Sequence, residues 1–88
     1  MIESSAAKKE IIYPSEIVFK TVFRNSPYTL EIIKNIIHDH ADCVTVTAKE
    51  SSGGKFISYT ITAVFESEDR LNSSCSQITM AEGFMMIF

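Results

Sequence analysis

Tryptophan is missing from this chain, glycine occurs three times and proline and cysteine twice each in 88 residues. So few breakers argue for long regular elements joined by short turns, against the low-complexity and disordered classes. Cys43 and Cys75 stand 32 positions apart and form no C-x-x-C. They supply neither a redox pair nor half of a zinc site, and both read as free thiols acting as small apolar residues. Positive charge is in deficit: eight Lys and Arg against eleven Asp and Glu leave a net charge of −3. That balance gives no counterion-release drive toward nucleic acid or an anionic membrane surface. Long apolar runs are also lacking. The segment Leu30 to Ile37 is interrupted by Glu31, Lys34 and Asn35 and is far shorter than the roughly 20 apolar residues of a membrane span. Residues 1–10 lack the apolar stretch of a secretory signal, so a cytoplasmic location is expected.

What is present is a globular composition, 45% apolar and 22% charged, enough for one small domain and too little chain for two. Residues 1–10 are polar and aperiodic and read as a flexible tail, with the domain occupying residues 11–88. From Glu16 to Arg24 the β-branched and aromatic residues predict a strand, with Ile17, Phe19, Thr21 and Phe23 on one side and Lys20 and Arg24 on the other. Asn25, Ser26 and Pro27 break it, and Ser26 followed by Pro27 predicts a helix with Ser26 as its N-cap. Leu30, Ile33, Ile36, Ile37 and Ala41 make its apolar arc, opposite Glu31, Lys34, Asn35 and His38. Val44, Val46 and Ala48 alternate with Thr45, Thr47 and Lys49 as in a half-buried strand. Ser51 to Gly54 predict a tight hairpin into a strand with Ile57, Tyr59, Ile61, Ala63 and Phe65 inward and Ser58, Thr60 and Thr62 outward. Ser67 starts a second helix with Glu68 and Asp69 in its first turn and a stripe of Leu71, Cys75 and Ile78. The run Phe84 to Phe88 is apolar throughout and predicts a last strand placed between two neighbours.

The order β-α-β-β-α-β predicts an α+β, ferredoxin-like fold: a four-stranded antiparallel sheet with two helices on one face. Its crossovers are expected to put the first and last strands at the centre. Many functions share this fold, so function has to be read from residues. His38, Asp39, His40, Asp42 and Cys43 crowd the end of the first helix. Histidines two apart lie on different sides of a helix and cannot share a metal, so no metal site and no cofactor is expected, with His40 packing its ring and touching the last carbonyls. Cys75 among Ser73, Ser74 and Ser76 has no base in sight, so it reads as core and not as a nucleophile. Base-stacking modules of this topology carry aromatics on the exposed sheet face, where this chain shows Ser58, Thr60 and Thr62 with Phe56 near the strand start. Metallochaperones carry two cysteines in the first loop, which here reads Arg24, Asn25, Ser26, Pro27. An acylphosphatase would use a loop arginine and an asparagine, which only Arg24 and Asn25 imitate, without a glycine-rich phosphate cradle.

Tyr13-Pro14, Phe19-Lys20, His40-Ala41, Lys49 with Ser51, Ser52 and Gly54, then Ser58 and Ile61-Thr62 resemble the bacterial YbeD-like family, small proteins of unknown function with an ACT-like version of this fold. The resemblance runs over roughly Ile11 to Phe88. It implies a regulatory or ligand-sensing role and carries an association with lipoate metabolism, without implying catalytic residues. ACT domains bind amino acids at a glycine-containing loop after the first strand; here that loop has no glycine. The leading expectation is therefore a non-enzymatic interaction or regulatory module, binding a protein partner or a second copy of itself. Its candidate surface is Lys20, Thr45, Thr47, Lys49, Ser58, Thr60 and Thr62, or a sheet edge. The alternative is a sensor of an amino acid or lipoate-pathway metabolite at Arg24 and Asn25, with Arg24 holding a carboxylate.

Overall fold

The computed structural model describes residues 12–88, and the expected tail over residues 1–10 lies outside them. Six elements follow in chain order: β1 (Ser15–Arg24), α1 (Thr29–His40), β2 (Ala41–Glu50), β3 (Phe56–Phe65), α2 (Glu68–Thr79) and β4 (Phe84–Ile87). All strand pairs are antiparallel, and the β-α-β-β-α-β fold is the ferredoxin-like one expected. No helix of the described residues is long and apolar enough to cross a membrane.

The strand order is β2-β3-β1-β4. This corrects the expectation for β4, which is an edge strand, while β1 and β3 are central. Each β-α-β crossover spans the first strand of the other unit, so the two last-formed strands end at opposite edges. The apolar run misled because continuous apolarity was taken to mean cover on both faces. Phe84 pairs with Phe23 and Ile87 with Thr21 on the helix side, while Met86 pairs with Val22 on the other.

The core lies between the helices and one sheet face. Phe23, Tyr59, Ile61, Ala63 and Phe65 from the strands meet Ile33 and Ile37 of α1 and Ile78 of α2, all buried. Period-2 alternation in β1 and β3 selects these residues, and the helical spacing of Leu30, Ile33, Ile36 and Ile37 aims α1 at them. Phe23 touches Tyr59 and Phe84 edge-on, with ring centroids 6.1 and 5.6 Å apart. Burial pushes the Tyr59 phenol above its ordinary pKa.

The junctions shift several expected boundaries. Helix α1 starts at Thr29, with Tyr28 at the cap position and no side-chain cap. Ser26 Oγ instead accepts from the Tyr28 N–H at 3.4 Å, closing the turn before the helix. The helix ends at His40, so Ala41 packs against the core as the first residue of β2. Asp42 pairs with Val64 and Thr45 with Thr62, so β2 carries one extra residue in a bulge there. Cys43 sits in it at φ +53° and is exposed, correcting its expected role as a small core residue. Ala48 also stands exposed. In α2, Ser67 caps as expected, accepting from the Arg70 N–H at 3.2 Å. The buried positions are Ser74 and Ile78, with Leu71 and Cys75 only half-buried. Ser74 tolerates burial because its hydroxyl donates to the Leu71 carbonyl at 2.9 Å.

Candidate functional site

Both helices pack on one side of the sheet, so the outward residues of each strand form a second face that no other element among the described residues covers. Cross-strand register aligns this face in rows, because residues paired across an antiparallel ladder point the same way. Lys20 pairs with Thr60, which pairs with Thr47. Val22, Ser58 and Lys49 form the next row, and Val18, Thr62 and Thr45 the row on the other side. Met86 extends the Val22 row from β4, and Phe88 exchanges both backbone hydrogen bonds with Lys20 at 2.8 Å. All seven surface residues expected from the sequence, Lys20, Thr45, Thr47, Lys49, Ser58, Thr60 and Thr62, therefore share this one face.

Its composition differs from that expectation in one respect. The β2 and β3 half is hydroxyl-rich, but the β1 and β4 half is apolar: Val18 is 61% exposed, Phe88 65% and Met86 48%. Phe56 adds a ring at the far end, 37% exposed. The Lys20 ammonium lies 5.9 Å from the Phe88 ring centroid, a cation–π contact that draws it toward the β4 edge. Val18 and Val22 were legible in the alternation that placed Lys20 outward. Met86 and Phe88 were hidden by the central placement assumed for β4.

Arg24 and Asn25 leave β1 at one end of this face. Asn25 is engaged in holding the fold: its Nδ2 donates to the Gly54 carbonyl at 2.7 Å and its N–H to the Lys55 carbonyl at 2.9 Å, tying the strand end to the hairpin. Arg24 is exposed, and its N–H donates to the Gly83 carbonyl at 2.9 Å. It separates two shallow clefts. One, of about 420 Å³, is lined with Asn25, Gly54, Lys55 and Phe56. The other, of about 350 Å³, includes Tyr28, Thr29, Ile32, Glu82 and Gly83. Gly83 has φ +86°, and a Cβ there would lie 3.6 Å from the Arg24 Cβ.

The polar crowd at the end of α1 lines a third cleft, of about 210 Å³, with Glu66 and Arg70. Arg70 Nη1 donates to the Asp39 carbonyl at 3.1 Å, so a side chain from α2 takes the helix-end contact expected of His40. His40 Nε2 instead lies 3.0 Å from Gln77 Nε2. The other ring nitrogen, Nδ1, is buried without a partner among the described residues. No group of three or more His, Cys, Asp or Glu among the described residues stands in metal-holding proximity. Burial pushes the Cys75 thiol up, against a hydrogen bond with Ser74 that lowers it. A raised thiol is a poorer nucleophile at neutral pH, in keeping with a packing role.

Residues 8–88 match the family described as "Protein of unknown function (DUF493)", and the chain belongs to that family. No curated protein matches it. Its fold is similar to the solution structure of protein HP0495 from H. pylori, at TM-score 0.77 and 18% identity over 100% of this chain and 96% of that one. It is also similar to the ACT domain from the GTP pyrophosphokinase of Chlorobium tepidum, at TM-score 0.63 and 9% identity over 83% of this chain and 94% of that one. Both likenesses concern the fold, which is the ACT-like arrangement.

Proposed function

We propose that this member of the DUF493 family is a non-enzymatic binding module, of regulatory type, that takes a protein partner on the outer face of its sheet. The observation carrying this reading is the run of exposed Val18, Met86 and Phe88 beside the Thr and Ser rows. A solvated sheet face normally alternates apolar-in and polar-out, and these three depart from that pattern side by side. A flat face with an apolar half and a hydroxyl half suits a protein surface better than a small molecule, which is held in a concave, mostly enclosed site. The likeness to an ACT domain fits a regulatory module without naming what is regulated.

Photo-crosslinking in living cells tests the reading. A benzophenone side chain at position 88 is expected to capture a protein, whereas the same group at Lys34, on the exposed side of α1, is expected to capture none. Equal capture from both positions, or none from position 88, would remove the outer face as the binding surface.

A second reading, a small-carboxylate sensor, is favoured by the exposed Arg24 between its two clefts. Titration with amino acids and lipoate is then expected to move the amide signals of Arg24 to Tyr28, and Arg24→Ala to abolish the effect. Signals that stay fixed would count against it.

A further inference from the structure

The charges of the outer face are segregated along the strands. Glu16 and Asp42 flank Val64 in one row at the end where β1 begins. Arg24 and Lys49 lie at the opposite end, where β1 meets the hairpin, beside Phe56 and Ser58. All four are exposed. Eight residues of extended chain separate Glu16 from Arg24, about 27 Å. Between the two ends the only charged side chain among the described residues is Lys20, drawn aside over the Phe88 ring. The face is therefore acidic at one end, basic at the other, and apolar or hydroxyl-bearing between.

Such a surface is complementary to itself at its two ends under one kind of two-fold axis, on which the Lys20 rows of the two copies meet with each ammonium turned aside toward its own Phe88 ring. An axis lying between two facing sheets and running across the strands reverses strand direction while keeping each strand opposite its own copy. Glu16 then meets Arg24 of the second copy, and each such contact occurs twice, as an isologous interface requires. Asp42 approaches the Lys49 end in the same way, and Val18 comes over Val22. An axis running along the strands would instead stack acid on acid and base on base, which opposes association. Three strands of ten residues and a fourth of four, about 4.8 Å apart, give a footprint of about 550 Å² per copy. The total of about 1,100 Å² falls just short of the stable specific class and clears the roughly 1,000 Å² of a biological interface, so the association is a weak one. Facing sheets pack about 10 Å apart with strands roughly aligned, so outward side chains of both copies would interdigitate.

We infer that the partner seated on the outer face is a second copy of this chain, packed face to face with its strands antiparallel, so that Glu16 of each copy pairs with Arg24 of the other. This rests on the reading of that face as the binding surface and commits it to one occupant.

Sedimentation of the full chain from about 10 μM to 1 mM at low salt tests it, a range spanning the weak association that so small an interface supports. The expected result is a reversible dimer, weakened on the order of tenfold by Glu16→Arg or by Arg24→Glu alone, because each change creates two like-charge contacts. The double variant E16R/R24E is expected to recover the dimer to within about threefold of the parent, since exchanged charges still pair. Both residues are exposed, and an unchanged dispersed amide spectrum of each variant shows that the fold is kept. A monomer throughout the range, or a dimer indifferent to both reversals, overturns the inference. If position 88 then captures a different protein in cells, the outer face remains the binding surface and only the second copy is excluded. If it captures nothing, both fail.

Discussion

The two faces of the sheet are built from alternate residues of the same strands and meet opposite surroundings. On β1, Thr21 and Phe23 are buried under the helices, while Val18 and Lys20 a few ångströms away stand exposed. On β3, Tyr59, Ile61, Ala63 and Phe65 are buried and Ser58, Thr60 and Thr62 point the other way. The inner face is apolar apart from Thr21, as burial against the helices favours. The outer face is mixed, and its apolar members have no role in that core. The contrast separates the residues that make the domain stable from those left available for recognition.

The largest effect that could break this contrast is a truncation on each side. Phe65→Ala is expected to destabilise by about 3–5 kcal/mol, because a fully buried ring leaves a cavity that its neighbours only partly fill. Val18→Ala is expected to stay within about 0.5 kcal/mol, since its side chain gains little from folding. Urea titrations compare the two directly, and similar costs would mean that the outer face is covered after all.

Thr21 sharpens the inner side of the comparison. Its Oγ1 is buried without a hydrogen-bond partner among the described residues. Thr21→Val keeps the shape and removes the unpaired hydroxyl, so it is expected to stabilise by about 1 kcal/mol. A loss of stability would reveal a partner for that hydroxyl.

The smallest effect concerns the two thiols. Cys43 is exposed on the β2 edge, and Cys75 is half-buried with its thiol pushed up by burial. At pH 8, Cys43 is expected to alkylate roughly tenfold faster. The same shift gives a sign for stability. The folded state holds the Cys75 proton more tightly than the unfolded state, so this contribution is intact below about pH 8.5 and declines as pH rises above it. Equal labelling rates would place Cys75 as open to solvent as Cys43.

Much of the fold was legible because alternation and helical spacing are properties of short windows. The core residues of β1 and β3, the hairpin at Ser51 to Gly54 and the Ser67 cap follow from residues near one another in the chain. What was not legible depended on long-range contacts. Phe84 to Phe88 look the same locally in a central or an edge strand, and only pairing with β1 alone shows that Met86 and Phe88 have an uncovered side. Ser74 lies outside the stripe of Leu71, Cys75 and Ile78 that the sequence predicts, because its bond to the Leu71 carbonyl is not written in residue type. Cys43 reads as core only from the usual behaviour of a free thiol, and the bulge in which it sits exposed depends on register with β3. The seven surface residues could be placed on one side of their own strands, but the apolar and charged halves that complete the face emerge only when four strands are set in register.

The most direct test of pairing through the outer face is a concentration series of methyl-labelled protein followed by NMR. The account predicts that signals of Val18, Val22 and Met86 move or broaden as concentration rises, while the buried Ile33, Ile37 and Ile61 signals stay fixed. Movement confined to the helix side, at the exposed Ile32, or none at any outer-face methyl, would contradict it.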